Sequence, residues 1–346
     1  MLTPVRIPCL FSMAILLLVC AGACSESLAE PPPLSQGSGQ NEKSTGSKSV
    51  SEAMAALAFQ KEQEDLERDL LPDDRLREQV RDQLNKDLNQ YVTSDDLLTM
   101  TELTLFNSAV TDISTLLGFT NVEKLNLFNN QISDLTGINK LENLVELNLY
   151  NNEISDLTPL LGISSLKSLD LSLNEITDLT GISGNTNLTV LLLPGNKIKD
   201  ITPVSGLTNL EILDLRENQV SDIKPLAGLT SLVSLDLGNC DIEDISALSE
   251  LVDLKILELD ANQVSDISPL KALANLTKLI LYANKIEDIA VLADLTKLEV
   301  LDLFANKIKD VSPLSLLSKL KYLDVGHNEI TDPSVLSQLD IAVMRK

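Results

Sequence analysis

The sequence predicts an α/β solenoid, a right-handed curved coil of short repeats with a parallel β-sheet on the concave face and 3₁₀ or irregular segments on the convex face. The chain is rich in Leu, has no Trp and contains only 3% aromatic residues, which favours one uniform architecture over several ordinary domains. From Leu103 onward the pattern returns every 22 residues without an insertion. Each repeat except the last, which has Val325 in place of the second Leu, contains L-x-L, in which both leucines face the same side of a short strand.

Each repeat can be numbered from an anchor residue, and reads N-x-I-x-D-I-x-P-L-x-x-L-x-x-L-x-x-L-x-L-x-x. An Asn at the anchor can bond backbone groups of its own turn and of the adjacent turn, which would otherwise be buried without partners. Cys240 stands at an anchor, so we expect a buried structural thiol rather than a reactive one. The anchors are Ser108, Asn130, Asn152, Asn174, Asn196, Asn218, Cys240, Asn262, Asn284, Asn306 and Asn328.

An Asp follows every anchor at a distance of four residues. Two interpretations are open, a metal ligand or the N-terminal cap of a short 3₁₀ turn on the convex face. The cap is favoured because the Asp directly precedes I-x-P-L, and because calcium-binding nonapeptide repeats need dense glycine that this pattern lacks. These residues are Asp112, Asp134, Asp156, Asp178, Asp200, Asp222, Asp244, Asp266, Asp288, Asp310 and Asp332.

The N-terminus predicts export. An apolar stretch from Cys9 to Val19 is too short for a membrane span and indicates a signal peptide over residues 1–23. Ala21-Gly22-Ala23 before Cys24 fits signal peptidase cleavage and also resembles a bacterial lipobox. We expect lipid attachment at Cys24, with simple secretion as the alternative, because a free thiol at a mature N-terminus would be open to oxidation.

A tether and a cap separate this N-terminus from the repeats. Residues 24–50 are rich in Pro, Ser, Gly and polar side chains, and predict a disordered tether. Residues 51–102 are predicted to form a helical N-terminal cap region, with one helix ending at Pro72 and a second beginning at Asp73 or Asp74. The second helix carries Leu76, Val80, Leu84 and Leu88 on one stripe. The solenoid of about eleven repeats occupies residues 103–346.

The repeat unit resembles a known family. The stretch LFNNQISDLTGINKLENLVELNLYNNEISDLTPL, residues 127–160, is similar to the leucine-rich repeats of internalins and related bacterial surface proteins. LPDDRLREQVRDQLNK, followed by YVTSDDLLTMTELTL, is similar to the helical cap that precedes internalin repeats. The similarity covers residues 72–346. It implies an extracytoplasmic recognition module that presents its concave face.

Charge and residue content narrow the function. The formal net charge of −24 disfavours nucleic acid and anionic membrane surfaces as partners, and predicts that a charged partner is basic. The single histidine, His327, can build neither a zinc site nor a nucleophilic triad alone, and is expected to be a surface residue. No phosphate-binding loop is present in the sequence. We therefore expect no enzyme activity, no cofactor and no metal.

The outward positions of the strands predict the binding residues. Two residues before the anchor, five of eleven repeats carry an aromatic residue that the repeat pattern does not require. Four residues before the anchor the side chains are mostly acidic, and three neighbours of like charge fall on successive strands, forming either a hydrated surface or a site for a basic ligand. The predicted partner-binding residues are Phe106, Phe128, Tyr150, Tyr282, Phe304, Asp214, Asp236 and Glu258.

These observations together predict a non-enzymatic protein-recognition module at the bacterial cell envelope or surface, which binds a protein on its concave face. The alternative is a structural or scaffolding envelope protein without a discrete tight ligand. We expect the chain to be secreted across the inner membrane and to be a lipid-anchored envelope protein. Ser25 after Cys24 is similar to the sorting signal of outer-membrane lipoproteins.

Overall fold

A computed structural model describes residue 71 and residues 74–87, 90–339 and 343–344. All described residues belong to one compact unit, Ala56–Lys346. The expected signal peptide, lipid-attachment residue, tether and first helix of the cap region lie outside the described residues. No helix in the described ranges is long and apolar enough to span a membrane.

The repeats form one parallel sheet whose strands follow each other in sequence order, which confirms the predicted fold class. Among the strands of the repeats, each residue pairs with the residue 22 positions later, as Leu147 does with Leu169. In the part of the chain that the structure describes, eleven strands belong to the repeats, and a twelfth, beyond the predicted number, extends the sheet by pairing with the eleventh. The strands are β1 Glu102–Thr104, β2 Lys124–Asn126, β3 Glu146–Asn148, β4 Ser168–Asp170, β5 Val190–Leu192, β6 Ile212–Asp214, β7 Ser234–Asp236, β8 Ile256–Glu258, β9 Lys278–Ile280, β10 Val300–Asp302, β11 Tyr322–Asp324 and β12 Val343–Met344.

Short 3₁₀ helices occupy the convex side. The Asp that follows each anchor accepts the N–H two residues later at 2.8–3.0 Å, as Asp156 does from Thr158. In ten of these eleven turns that N–H belongs to the first residue of the 3₁₀ helix, so the carboxylate bonds the start of the helix from one position before the N-cap residue that was predicted for it. The 3₁₀ helices are Ser114–Leu116, Ile138–Lys140, Thr158–Leu160, Thr180–Ile182, Thr202–Gly206, Lys224–Leu226, Ser246–Leu248, Ser268–Ala272, Ala290–Asp294, Ser312–Leu316 and Ser334–Ser337.

The anchor asparagines form a ladder through the core. The Oδ1 atom of Asn152 accepts the N–H of Ile132 at 3.0 Å, while its Nδ2 donates to the carbonyls of Leu127 and Leu149, each at 3.0 Å. One amide therefore satisfies backbone groups in its own turn and in the preceding turn, which is the role that the sequence predicts. The leucines of L-x-L are fully buried around this ladder and form one continuous core.

Cys240 interrupts the ladder. It is buried, with 7% of its surface exposed, as the sequence predicts. Its Sγ donates one weak hydrogen bond to the Leu215 carbonyl at 3.5 Å, whereas Asn218 donates to the Leu193 and Leu215 carbonyls at 3.0 and 2.8 Å. Burial disfavours the thiolate and raises the pKa of Cys240 to about 11.

Within the described residues, two helices precede the first strand, and the first of them contacts it. Helix α1, Asp74–Gln83, begins at one of the two predicted residues and buries Leu76 and Val80, while Leu88 lies outside the described residues. The side-chain oxygen of Gln83 accepts the Thr104 N–H at 2.9 Å, and the side-chain nitrogen of Gln83 donates to the Thr104 carbonyl at 2.7 Å. Gln83 therefore satisfies backbone groups at the open edge of β1. Helix α2, Ser94–Thr99, begins with a capping box between Thr93 and Asp96.

Restoring the ladder should stabilise the fold. We predict that Cys240→Asn raises the free energy of unfolding by about 1 kcal/mol, because the amide regains hydrogen bonds that the thiol does not make. Urea denaturation of both proteins measures the difference. The reverse change in the adjacent turn, Asn218→Cys, is the matched control and should lower stability. An unchanged midpoint for Cys240→Asn would show that the thiol already satisfies its surroundings.

Candidate functional site

The concave face consists of outward side chains that recur in each repeat. Outward side chains stand six, four and two positions before each anchor, and are numbered as columns in that order. The second column therefore contains the residues four positions before each anchor, and the third column contains the residues two positions before it. Strand register places members of one column about 4.8 Å apart on neighbouring turns. The second column is Thr104, Asn126, Asn148, Asp170, Leu192, Asp214, Asp236, Glu258, Ile280, Asp302 and Asp324. The third column is Phe106, Phe128, Tyr150, Ser172, Pro194, Arg216, Gly238, Asp260, Tyr282, Phe304 and Gly326.

The aromatic row is Phe106, Phe128 and Tyr150, on three successive turns. The rings of Phe106 and Phe128 are stacked, with centroids 5.4 Å apart and planes inclined by 7°. Phe106 is 47% exposed and Tyr150 is 37% exposed, while Phe128 between them is half-buried. The row therefore offers one apolar surface at the N-terminal end of the concave face.

A second aromatic group lies near the other end. Tyr282 is exposed and Phe304 is half-buried, as neighbours in the third column. His327 is exposed, as predicted, and its ring meets that of Phe304 edge-on with centroids 4.7 Å apart. Sequence reasoning treated His327 as an isolated surface residue, because only the coil of the backbone places it beside the ring one turn earlier.

The three predicted acidic binding residues are neighbours, but two are not freely exposed. The side chain of Asp214 is 9% exposed and that of Asp236 is 13% exposed, with a guanidinium nitrogen of Arg216 3.3 Å from each carboxylate. Lys278 contacts Glu258 at 2.8 Å. The carboxylates are more buried than a hydrated surface would leave them, and cations of the chain already partner them.

Second-column carboxylates also hold the backbone where each strand ends. Asp236 accepts the Gly238 N–H at 2.9 Å and Asp302 accepts the Phe304 N–H at 2.9 Å. Asn148 makes the same contact with Tyr150 at 2.9 Å. Sequence reasoning missed this role. The recurrence of Asp and Asn two residues before a backbone donor was the available signal, because both side chains favour this local turn.

Burial raises the pKa of several second-column carboxylates. Burial chiefly, together with neighbouring carboxylates, raises the pKa of Asp214 and of Asp302 to about 6, and raises that of Asp236 well above its usual range. In Asp214 the Arg216 guanidinium opposes this shift. The concave face therefore carries carboxylates whose charge is costly in the free protein.

The described residues suit binding. They contain no group of three or more His, Cys, Asp and Glu residues that could hold a metal ion. The geometry provides a rigid sheet with two aromatic groups and an acidic region between them. The acidic region is formed by Asp214, Asp236 and Glu258.

Comparisons with known proteins agree with this geometry. The family model described as leucine-rich repeats in two copies matches residues 142–184, 186–228, 230–272, 274–316 and 298–338. The structure of an internalin, InlF of Listeria monocytogenes, is 35% identical, with a TM-score of 0.76 over 80% of this chain and 83% of that one. The chain belongs to the internalin-like leucine-rich repeat proteins. The resemblance inferred from the repeat is thereby confirmed.

Two further solved structures share the fold at lower identity. The functional domain of InlJ from Listeria monocytogenes, which includes a cysteine ladder, is 22% identical with a TM-score of 0.63, over 79% of this chain and 66% of that one. The plant peptide hormone receptor RGFR1, solved in complex with RGF2, is 22% identical with a TM-score of 0.59, over 74% and 49%. No curated protein sequence matches the chain.

The carboxylates of the second column make the stability of the protein depend on pH. The pKa of Asp302 lies near 6 in the folded protein and about 3.9 in the unfolded chain, so its ionisation opposes folding above about pH 6 and has no effect below about pH 4. We predict that the wild type gains stability as the pH falls from about 7.5 to 5. Asp302→Asn should raise the free energy of unfolding at pH 7.5 by about 1–2 kcal/mol, less than the full pKa shift implies because solvent screens this half-buried carboxylate, and should flatten this dependence.

The substitution preserves the local geometry, because Asn already accepts the same backbone hydrogen bond at position 148. Chemical denaturation across the pH range measures the effect. The matched control is Asp310→Asn on the convex side, since hydrogen bonds from Ser312 lower the pKa of Asp310. That variant should not gain stability at neutral pH. Equal behaviour of the two variants would disprove the assignment.

Proposed function

We propose that this protein is a non-enzymatic recognition module of the bacterial cell envelope or surface, and that it binds a protein ligand on its concave face. The exposed aromatic row carries the proposal. Ser, Gly and Asp occupy the same column in other repeats, so the backbone does not require rings there. Large apolar side chains kept exposed on a rigid sheet are more often binding residues than accidents of packing.

The second aromatic group, Tyr282 and Phe304, supplies a further contact, and the acidic region between the two groups favours a basic partner. Aromatic side chains on a preformed surface lose little conformational entropy on binding, which is why they dominate interface energies. The fold supports the proposal, because leucine-rich repeats generally serve protein interaction. The plant receptor of this fold, solved with its peptide hormone, is one such case.

One observation favours the structural alternative. Stacking of Phe106 on Phe128 also supports the sheet, at about 0.2–1 kcal/mol for such a pair. If that were the whole role of the row, its removal would lower stability and leave binding unchanged.

The N-terminal sequence supports the proposed location. We propose that residues 1–23 are removed as a signal peptide and that Cys24 carries the lipid of an envelope or outer-membrane lipoprotein. Residues 24–50 would then tether the cap and repeats, with a reach of roughly 30 Å for a flexible chain of this length.

Binding and stability separate the two functions. We predict that Phe106→Ser and Tyr150→Ser each weaken partner binding by about 2 kcal/mol while changing thermal stability little, because both side chains are exposed and lie outside the core. The partner is first captured from envelope and host-surface proteins with the full mature chain, and its affinity is then measured by calorimetry. Leu316→Ser, an exposed apolar residue of the convex side, is the control and should leave binding intact. A loss of stability without a loss of affinity would support the scaffold alternative.

Lipid attachment can be tested directly. We predict that the native mature N-terminus is Cys24 with attached acyl chains, and that Cys24→Ser releases the protein from the membrane fraction. Mass spectrometry of the N-terminal peptide and membrane fractionation measure both effects. Cys20→Ser is the control, since Cys20 lies within the segment expected to be removed. An unacylated N-terminus in the wild type would contradict this prediction.

A further inference from the structure

One leucine of the concave rim occupies an unfavourable backbone conformation. The residue directly before each anchor lies in the left-handed region, and Leu173 has φ +53° there. Gly and Asn suit this conformation, whereas a leucine side chain crowds its own backbone. Asn stands at this position in four repeats, Ala in three and Gly in one. The repeat therefore does not require Leu173, and its presence costs folding free energy.

The side chain of Leu173 is not used in the core. It is 42% exposed and lies over the next turn, whose equivalent residue is Gly195. A β-carbon on Gly195 would stand 2.4 Å from Cδ2 of Leu173, so the glycine provides the space that this leucine occupies. The backbone N–H of Leu173 donates to the Pro194 carbonyl at 2.8 Å, which fixes the two turns together.

The same turn is apolar at both outward columns. In most other repeats, an Asp or Asn of the second column accepts the backbone N–H of the third-column residue. Pro194 has no N–H to donate, and the second-column residue of its turn is the apolar Leu192. Both residues are half-buried and thus reachable from solvent. Leu173, Leu192 and Pro194 form an apolar band, defined by these three residues, between the aromatic row and the acidic region.

The charges beside the band indicate what would cover it. Strand register places Asp170 and Asp214 on either side of Leu192. Asp170 accepts hydrogen bonds from the N–H and the hydroxyl of Ser172, and within the described ranges no cation pairs with it. From Asp170 to Asp324, six of the eight second-column residues are acidic and none is basic. An Arg or Lys side chain combines an aliphatic stem with a cationic end, and so matches an apolar surface flanked by carboxylates.

We propose that the apolar band is the docking surface for a basic, amphipathic segment of the protein partner, and that Leu173 determines which segments bind. This inference rests on the proposed function of the concave face. An apolar side chain of the partner packs on Leu173, while an Arg or Lys stem lies on Leu192 and its charged end reaches Asp170. The strain at Leu173 is then retained for binding, because it holds an apolar group above the sheet.

The probe is a displayed library of random short peptides, selected on the full mature chain. The expected winners combine Arg or Lys with apolar residues. Leu173→Asn should lower their affinity by about tenfold or more, while its melting temperature stays equal or rises because Asn suits the left-handed conformation. Ala305→Asn is the matched control, since it introduces the same residue at the same backbone conformation outside the band.

A second variant tests the packing of Leu173. Gly195→Ala adds the β-carbon that meets Leu173, and Ala is already tolerated at this position in other turns. As a single substitution, Gly195→Ala should weaken peptide binding. In the Leu173→Asn background it should have no further effect. Replacing the basic residue of a selected peptide by Gln should also weaken binding, and Asp170→Asn should reduce that difference.

The outcomes distinguish this inference from the proposed function. If Phe106→Ser or Tyr150→Ser weakens peptide binding while Leu173→Asn does not, the concave face binds proteins and the inference about the band is wrong. Winners without basic residues would overturn the assigned partner chemistry. If every concave variant binds the selected peptides as tightly as the wild type, both the inference and the proposed function fail.

Discussion

The whole solenoid depends on the hydrogen bonds of the anchor asparagines. A single turn can neither bury its own leucines nor satisfy the backbone groups that its bends point inward. The Asn152 amide solves the second problem by bonding Ile132 and Leu127 in the preceding turn as well as Leu149 in its own. Adjacent turns are thus held in one register, and the leucines of successive turns close over each other to form the core.

A backbone fixed in this way leaves the concave side chains free to vary. Most members of the second and third columns reach solvent, and the ladder constrains neither the size nor the polarity of most of them. Their departures from the common pattern are consequently informative. Phe106 and Tyr150 expose rings that other turns omit, and Leu173 holds a left-handed conformation that Asn would occupy more easily.

The acidic column shows how a single residue type can serve two purposes. Asp302 caps the end of its strand through the Phe304 N–H, which an Asn could also do, yet its buried charge costs stability at neutral pH. Retaining Asp where Asn would hold the backbone favours a role for the charge itself. Arg216, between Asp214 and Asp236, compensates part of that charge and leaves the region acidic beside the apolar band.

The sequence by itself determined the repeat, the parallel strands, the buried ladder with Cys240 in it, and the capping role of Asp156 and its equivalents. These features repeat with a fixed period, and a local pattern of inward and outward positions is enough to infer them. It also placed the aromatic residues on one face. Only the tertiary structure decided what lies across neighbouring turns: the pairing of Arg216 with two carboxylates, the contact of His327 with Phe304, and the place of Leu173 above Gly195. Most of these contacts join residues 20 or more positions apart, as Arg216 and Asp236 are. They depend on side-chain direction and burial, which the periodic pattern does not specify.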